Sequence, residues 1–296
     1  MENNGEKMSH SKISVQICPL CDSHKVSFFL RKKGFDLYKC QNCKLLFLFP
    51  LPESIGVYDE SYFSGAEKGF GYVDYDVDKE PMKPTFNKYL DIVSSLGISN
   101  GKLLDIGSAT GFFMDLAEKR GFEVTGVEIS DFAAEIGRKK GLKIITGDLI
   151  DQKFTESHFD VITMFDVLEH VPKPKEIIRE VYRILKKGGL VVINTPDVES
   201  LWARVLGTHW QLIMPPEHIN YFSPKNLGDY LSKNGFEVKI SSKIGKSFTL
   251  QYILKMLYKW QGWRIFLTGP TLNKFLSKIS IPINLHDNFF MIVKKK

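Results

Sequence analysis

From about Pro84 onward, short apolar runs of strand length alternate with amphipathic stretches of helical length. This alternation predicts a parallel sheet, because a strand that follows a crossover helix re-enters the sheet in the same direction. The predicted strands are Lys102–Ile106, Glu123–Val127, Lys143–Thr146, Asp160–Phe165 and Leu190–Asn194. The predicted helices between them are Gly111–Arg120, Asp131–Lys140 and Lys175–Lys186. The pattern therefore favours an α/β fold.

The alternation changes after the fifth strand. Thr195–Phe222 is predicted to be a long loop, and a helix is expected to begin near Ser223, where serine is a good N-cap and Pro224 suits the first helical position. The apolar runs Phe236–Ile240 and Phe289–Val293 are predicted to be further strands of the same sheet. The aromatic segment between these two runs is expected to form a lid, inserted at about 245–282 into a domain that spans 86–296.

Two cysteine pairs mark the N-terminal part. Cys18, Cys21, Cys40 and Cys43 follow the spacing C-x2-C-x18-C-x2-C. Two such turns that meet at one point provide four thiolates in a tetrahedron, which is typical of a closed structural Zn²⁺ site. Disulfides are the alternative, but they suit an oxidising compartment rather than the cytosol. Residues 1–49 are therefore predicted to be a zinc ribbon, and residues 50–85, which show no sustained period, a linker or active-site flap.

Composition narrows the class of protein. Of the 296 residues, 43% are hydrophobic and 25% are charged, which excludes collagen-like and wholly disordered chains. The start of the chain, MENNGEKMSH, has no apolar signal core, and no uncharged apolar stretch reaches the ~18 residues that would predict a membrane span. We therefore expect the protein to be cytoplasmic.

Basic charge is concentrated at the C-terminal end. Residues 242–296 contain ten lysines and arginines against a single acid, Asp287, whereas the preceding 241 residues hold 30 basic and 33 acidic side chains. Within this region the apolar segment Phe248–Leu267 carries Lys255, Lys259 and Arg264. Such a segment could lie on the inner membrane surface as a peripheral contact, or it could pack on the sheet as a substrate lid.

The candidate chemistry begins where the first strand of the repeat meets its helix, in LLDIGSATGFF. Asp105 ends the strand, Gly107 turns the chain, and Gly111 allows the helix to start close to a ligand above the loop. A dinucleotide fingerprint would need a glycine at the position of Ala109. A strand-end carboxylate repels phosphates and suits an ammonium group, which S-adenosylmethionine carries.

Three further features agree with a nucleoside of this kind. Glu128 follows the second strand and is placed to accept hydrogen bonds from both ribose hydroxyls, and Asp148 follows the third strand, where it could accept from the adenine amino group. In FDVITMFDVLEHV, Asp166, Glu169 and His170 come directly after the fourth strand. All of these residues are expected at the carboxyl edge of the sheet, where ligands bind in open α/β folds.

With these motifs in this order, residues 86–296 resemble the class I S-adenosylmethionine-dependent methyltransferases. The resemblance implies a Rossmann-like seven-stranded sheet with an antiparallel last strand, and a direct methyl transfer from the sulfonium to a nucleophile. It places Asp105 and Gly107 at the methionine end of the cofactor, Glu128 at the ribose, and Asp148 with Leu149 at the adenine. The full set of cofactor-binding residues that we predict is Asp105, Gly107, Ser108, Ala109, Gly111, Glu128, Ile129, Asp148, Leu149 and Phe165.

CPLC and KCQNCKLLFLFPLP are similar to the zinc-ribbon methyltransferases of bacterial glycan and natural-product pathways. In MPPEHINYFSP, Glu217-His218 resembles the Glu-His pair of ribbon-bearing sugar C-methyltransferases. Methyl transfer to a hydroxyl or an activated carbon needs a base near the nucleophile, and histidine suits neutral pH. The predicted catalytic residues are therefore His218 first, then His170, with Glu217 orienting the ring.

The acceptor predicted from these features is a small sugar-like molecule or pathway intermediate, either free or linked to a glycan or a lipid. An RNA methyltransferase that docks its substrate through the ribbon is an alternative, although the ribbon has few basic residues beyond Arg31, Lys32 and Lys33. A non-catalytic scaffold that binds the nucleoside is the remaining alternative.

Overall fold

A computed structural model of the protein describes residues 16–52, 63, 75–243, 245–250, 279–283 and 285–296. Most of the predicted lid, including Lys255, Lys259 and Arg264, lies outside the described residues, as does much of the predicted flap. Within the described ranges, no helix is both long enough and apolar enough to cross a membrane.

The described elements alternate along the chain, and their bounds are as follows. The strands are β1 (Val26–Lys32), β2 (Phe35–Cys40), β3 (Leu46–Leu48), β4 (Gly101–Ile106), β5 (Phe122–Glu128), β6 (Ile144–Thr146), β7 (Phe159–Phe165), β8 (Leu185–Pro196), β9 (Asn220–Tyr221), β10 (Phe236–Ser242), β11 (Lys246–Thr249), β12 (Ser280–Ile283) and β13 (Asn288–Lys295). The helices are α1 (Tyr75–Lys79), α2 (Lys83–Ser95), α3 (Phe112–Glu118), α4 (Asp131–Lys139), α5 (Pro174–Ile184), α6 (Leu201–Leu206) and α7 (Pro224–Lys233).

The central sheet has seven strands in the order β10-β13-β8-β7-β4-β5-β6. β13 runs antiparallel to both of its neighbours, and the other adjacent pairs are parallel. The predicted α/β sheet with a reversed last strand is confirmed. Because parallel strands share a direction, their carboxyl ends meet at one edge.

Two predicted bounds near this sheet are wrong. The helix predicted over Lys175–Lys186 ends at Ile184, and β8 begins at Leu185, because Leu185 pairs with Phe159 of β7.

The helix predicted near Ser223 is confirmed in detail: the Ser223 side chain accepts from the backbone N–H of Asn226 in a reciprocal capping box, and Pro224 follows the cap.

Part of the predicted flap is helical, although its sequence shows no helical period. α1 is held in place by contacts with the main domain. Asp76 accepts a 2.6 Å hydrogen bond from the Thr110 hydroxyl and also binds the Lys140 ammonium group, and the Tyr75 ring lies 5.6 Å from that of Phe63. Tertiary contacts of this kind stabilise a helix too short to form alone.

The cysteine-bearing segment and the predicted long loop form one antiparallel sheet, in the order β1-β2-β3-β9. The loop prediction for Thr195–Phe222 is therefore wrong in part, since this range contains α6 and β9, and β8 extends to Pro196. Pairing of β9 with the cysteine-bearing sheet is a long-range contact that no local pattern signals. Cys18, Leu20 and Phe47 also pack in the same buried cluster as Ile162 of the central sheet.

Candidate active site

The loop after β4 brings backbone N–H groups to the carboxyl edge of the sheet. Gly107 and Gly111 have φ angles of 73° and 82°, in the left-handed region that suits glycine. A Cβ on Gly111 would lie 2.2 Å from Leu142 Cδ1. Leu142 can therefore pack against the start of the helix only because residue 111 has no side chain. Ala109 adopts a φ of 48°, which explains how the loop turns without the glycine of a dinucleotide fingerprint.

Asp105 lies at the end of β4 and is buried, with 3% of its surface exposed. Its Oδ1 accepts a 2.6 Å hydrogen bond from the Thr163 hydroxyl of β7. Burial raises the pKa of Asp105 to about 7, the hydrogen bond opposes this, and the charge of Glu128 adds to it. A cation bound here would restore the ionised carboxylate.

Glu128, at the end of β5, is tied to the same loop. Its Oε2 accepts a 2.7 Å hydrogen bond from the Ala109 N–H, and its Oε1 accepts a 2.9 Å bond from the Ser130 N–H. Burial raises the pKa of Glu128, and these N–H groups oppose the rise. Each carboxylate oxygen has a second lone pair, so the side chain can still accept from a ligand hydroxyl.

The predicted adenine residues lie further along the same edge. Asp148 is exposed and its Oδ1 accepts a 2.9 Å hydrogen bond from the Ile150 N–H, while Leu149 is buried. The Gly147 N–H donates to the Glu128 carbonyl, which connects this turn to the end of β5. Ile129 is 64% exposed and lies open to a ligand at this edge.

A pocket at the carboxyl edge joins the loop to α1 and α2. Asp105, Gly107, Ser108 and Phe165 form one side of it, together with Asp166 and Asn194. Lys79, Phe86 and Tyr89 line it from the two helices. Four of the predicted cofactor residues therefore lie in one pocket, and the others lie at its margin or along the same sheet edge.

Two hydroxyls in this pocket are left without hydrogen bonds. Ser108 Oγ and Tyr89 Oη are buried and have no hydrogen-bond partner among the described residues. Buried polar groups are usually satisfied, so a ligand with polar atoms fits this pocket. Burial raises the pKa of Tyr89, and the charge of Asp166 adds to the effect.

Lys79 and Tyr89 were not predicted as site residues. Desolvation lowers the pKa of Lys79, and the charge of Asp166 partly opposes the shift. Both residues lie on helices N-terminal to β4, and no motif marks them, because only the packing of these helices over the sheet brings them to the pocket. Asp166 was signalled by its position after the fourth strand, and its φ of 55° turns the chain there.

The predicted catalytic histidines lie together, but neither of them lines this pocket. The ring centroids of His170 and His218 are 4.8 Å apart, and His170 Nδ1 is 2.7 Å from the Glu217 carbonyl oxygen. His218 is 6% exposed, and burial lowers the pKa of His170. Glu217 thus contacts His170 through its backbone, while its Oε2 is buried without a hydrogen-bond partner among the described residues. The sequence predicted that Glu217 orients the His218 ring. His218 Nδ1 instead lies 2.9 Å from the Leu212 carbonyl oxygen, so the prediction is wrong for this ring nitrogen.

The four cysteines form the second candidate site. Their Sγ atoms all lie within 4.8 Å of one another, with 3.5 Å between Cys18 and Cys43 and 3.6 Å between Cys21 and Cys40. The thiols are free, and these distances suit four thiolates around one ion at ~2.3 Å each. The hydrogen bond between Cys18 and Cys43 lowers the pKa of the Cys43 thiol and raises the pKa of the Cys18 thiol. The donor set fits Zn²⁺.

Comparison with known proteins agrees with this geometry. The family model described as "Methyltransferase domain" matches residues 82–239, more than half of the chain. Ubiquinone biosynthesis O-methyltransferase of Pseudomonas aeruginosa is 29% identical over 156 residues, which cover 48% of this chain and 67% of that protein. An uncharacterised protein of Methanocaldococcus jannaschii is 32% identical over 150 residues, covering 50% of this chain and 71% of that protein.

Solved structures share the fold. A methyltransferase of Thermotoga maritima, described as a possible histamine N-methyltransferase, aligns with a TM-score of 0.50 at 23% identity, covering 74% of this chain and 92% of that one. A Bacillus halodurans protein described as a methyltransferase aligns with a TM-score of 0.51 at 18% identity, covering 70% of this chain and 99% of that one. The chain belongs to the methyltransferase-domain family and is an S-adenosylmethionine-dependent methyltransferase.

Proposed function

We propose that the protein transfers the methyl group of S-adenosylmethionine to a hydroxyl, or to an activated carbon, of a small sugar-like acceptor or pathway intermediate. The observation that carries this proposal is the pocket in which Asp105 and Ser108 face Lys79 and Tyr89. One wall belongs to the cofactor loop, and the opposite wall offers polar groups to a second molecule.

The residues present fit the cofactor. The buried Ser108 hydroxyl has no hydrogen-bond partner among the described residues, and the carboxylate of Asp105 suits the ammonium group at the methionine end. Glu128 would hold the ribose, and Asp148 with Leu149 the adenine. When bound, S-adenosylmethionine supplies a methyl group on a positively charged sulfur.

For a hydroxyl acceptor, the oxygen lone pair forms the new bond to the methyl carbon. The carbon–sulfur bond breaks with its electron pair staying on sulfur, and the hydroxyl proton is lost. We assign the acceptance of this proton to His170 or His218, whose ring centroids lie 4.8 Å apart where the turn after β7 meets the segment before β9.

The pocket supports a small acceptor more than a nucleic acid. Its walls include the aromatic rings of Phe86 and Phe165, and its charged groups are Lys79, Asp105 and Asp166. Two of these three are acidic and would repel a phosphate backbone. O-methylation by the ubiquinone-pathway relative agrees with a hydroxyl acceptor for this chain.

The test is to incubate the full chain with methyl-labelled S-adenosylmethionine and host extract, then to separate nucleic acid, lipid and small molecules. We expect label among small molecules, or among lipids if the acceptor is lipid-linked. An Asp105→Ala variant should bind no cofactor and transfer no label. Label in RNA, or cofactor binding without any transfer, would overturn the proposed acceptor class or the catalytic function.

A further inference from the structure

Tyr89 reaches the pocket from α2 and carries a buried hydroxyl there. The side chain is 2% exposed and lines the pocket, and its Oη has no hydrogen-bond partner among the described residues. An unsatisfied buried hydroxyl lowers stability, and phenylalanine would fill the same space without this loss. The Tyr89 hydroxyl is therefore suited to a bound molecule rather than to packing.

The ring that carries this hydroxyl is held by other aromatic rings. It stacks on Phe290, with 4.3 Å between the centroids and 22° between the planes. Its centroid also lies 5.3 Å from that of Phe165 and 6.0 Å from that of Phe86. These contacts restrict rotation of the side chain, so little conformational entropy is lost when the hydroxyl binds a ligand.

The position of Tyr89 over the sheet separates it from the expected cofactor site. Phe165, Asn194 and Phe290 are register partners across β7, β8 and β13, and the Tyr89 ring contacts both ends of this row. The predicted cofactor carboxylates follow β4, β5 and β6, which lie on the other side of β7 in the sheet order. Tyr89 and Asn194 therefore line the part of the pocket that remains for a second molecule.

The charges around Tyr89 favour a neutral group. Lys79 and Asp166 also line the pocket, and their opposite charges offset one another. The remaining charged group, Asp105, is matched by the ammonium group of the cofactor. Burial, with the charge of Asp166 as a smaller cause, raises the pKa of Tyr89, so the phenol keeps its proton at neutral pH and can donate it in a hydrogen bond.

We propose that Tyr89 is a specificity-determining residue of the acceptor site, and that its hydroxyl donates a hydrogen bond to a second, neutral oxygen of the acceptor. This assignment rests on the proposed function. A donor placed on the attacking oxygen would reduce the electron density that forms the new bond, so the contacted oxygen is a different one. It is a neighbouring hydroxyl or carbonyl, and for a carbon acceptor it is the carbonyl that activates the carbon.

The assignment narrows the substrate class. The acceptor carries at least one hydrogen-bond-accepting oxygen besides the atom that is methylated. An analogue without this oxygen would leave the buried Tyr89 hydroxyl unsatisfied, and sites built around such a hydrogen bond discriminate strongly against such analogues.

The first test compares Tyr89→Phe with the wild-type full chain, using methyl-labelled S-adenosylmethionine and the small-molecule and lipid fractions of host extract. At saturating cofactor, the variant should need about tenfold more of the fraction for half-maximal transfer. Its affinity for S-adenosylmethionine, measured by calorimetry, should match that of the wild type. Tyr230→Phe is the matched control, because Tyr230 is a half-buried tyrosine of α7 that does not line the pocket. An unchanged dependence on the fraction would overturn the assignment.

The second test is stability, which separates this role from a structural one. Tyr89→Phe loses no hydrogen bond among the described residues, so its midpoint of denaturant unfolding should equal or exceed that of the wild type. Tyr221 is also 2% exposed, but its hydroxyl donates a 2.8 Å hydrogen bond to the His218 carbonyl, so Tyr221→Phe should lower the midpoint. An equal fall in Tyr89→Phe would show that the Tyr89 hydroxyl is structural and would overturn the assignment.

The third test measures binding without turnover. Wild-type and Tyr89→Phe chains saturated with S-adenosylhomocysteine are equilibrated with the same fractions, and the retained compounds are compared by mass spectrometry. The wild type should retain compounds with at least two oxygens that the variant retains about tenfold less. That difference without any label transfer would support the assignment and count against the proposed function. Equal retention by both chains, no retention by the wild type, or lost cofactor binding in Tyr89→Phe would overturn the assignment.

Discussion

The backbone N–H of Leu48, in β3 of the cysteine-bearing sheet, donates a 2.8 Å hydrogen bond to the carbonyl oxygen of Ile219, the residue after His218. The N–H of Ile219 in turn donates to the carbonyl of Glu169 at the edge of the central sheet. The cysteine-bearing segment is thus connected through one residue to the histidine cluster. A metal that folds this segment would also position His218.

Removal of a metal bound by the four cysteines should therefore loosen the contact between His170 and His218. Strong chelation, or Cys43→Ser, is expected to raise hydrogen exchange at the amides of Leu48 and Ile219. The Leu48 N–H donates to the Ile219 carbonyl and the Ile219 N–H donates to the Glu169 carbonyl, so both bonds depend on the position of the backbone at residue 219. Hydrogen exchange with mass spectrometry measures the change. Amides in β7 should keep their protection, and unaltered exchange at Leu48 and Ile219 after proven metal loss would contradict the coupling.

Gly111 combines a left-handed backbone with a close neighbour. Gly111→Ala should lower the free energy of unfolding by about 2–4 kcal/mol, since a left-handed alanine costs about 1–2 kcal/mol and the new methyl group collides with Leu142. Gly121→Ala is the matched control. Its φ is 94°, but no atom lies within 4 Å of the added Cβ, so it should show only the backbone cost. Denaturant unfolding distinguishes the two.

Asp105 makes cofactor affinity depend on pH. Its pKa of about 7 in the folded protein exceeds the ordinary ~3.9, so ionisation is incomplete near neutrality. The ammonium group of the cofactor favours the ionised carboxylate. Affinity for S-adenosylmethionine should therefore rise as pH increases through about 7, and Asp105→Asn should weaken binding by roughly 10–100-fold and flatten this dependence. Calorimetric titrations between pH 6 and 8 measure both effects.

The stability of the folded protein without cofactor should depend on the ionisation of Asp105 in the opposite direction, decreasing as pH rises. Because the folded pKa is raised, the stability that protonated Asp105 contributes is fully present below about pH 4 and is lost as pH rises through about 7. Compared with the wild type, Asp105→Asn without cofactor should lose less stability over this interval. Equal slopes of unfolding free energy against pH in the two proteins would show that the Asp105 pKa is ordinary.

Glu128 supports the cofactor loop as well as the expected ribose site. Glu128→Ala should leave the buried N–H groups of Ala109 and Ser130 without their acceptor, at a cost of about 1–3 kcal/mol each in unfolding free energy. Glu123→Ala, at an exposed position of the same strand, should change stability little. Thermal unfolding without cofactor isolates this effect. Cofactor titration should then show weaker binding only in Glu128→Ala.

Residues in the repeat were the most predictable. Asp105, Glu128 and Asp148 each follow an apolar run. Because a buried strand is only a few residues long, the end of the apolar run predicts the end of the strand. The reversed strand β13 followed from the resemblance rather than from its own composition. By contrast, Tyr75 and Lys79 belong to a stretch without periodicity, and their helix depends on contacts with Thr110, Lys140 and Phe63.

The sequence by itself determined the alternation of strands and helices, the carboxylates at the strand ends and the four-cysteine spacing, because these are local patterns read within a few residues. Only the tertiary structure decided that β9 completes the cysteine-bearing sheet, that Tyr89 and Lys79 reach the pocket, and that Glu169 and His170 lie close to His218. Those contacts join segments far apart in the chain. They depend on long-range strand pairing and packing, whose energy no local sequence pattern records.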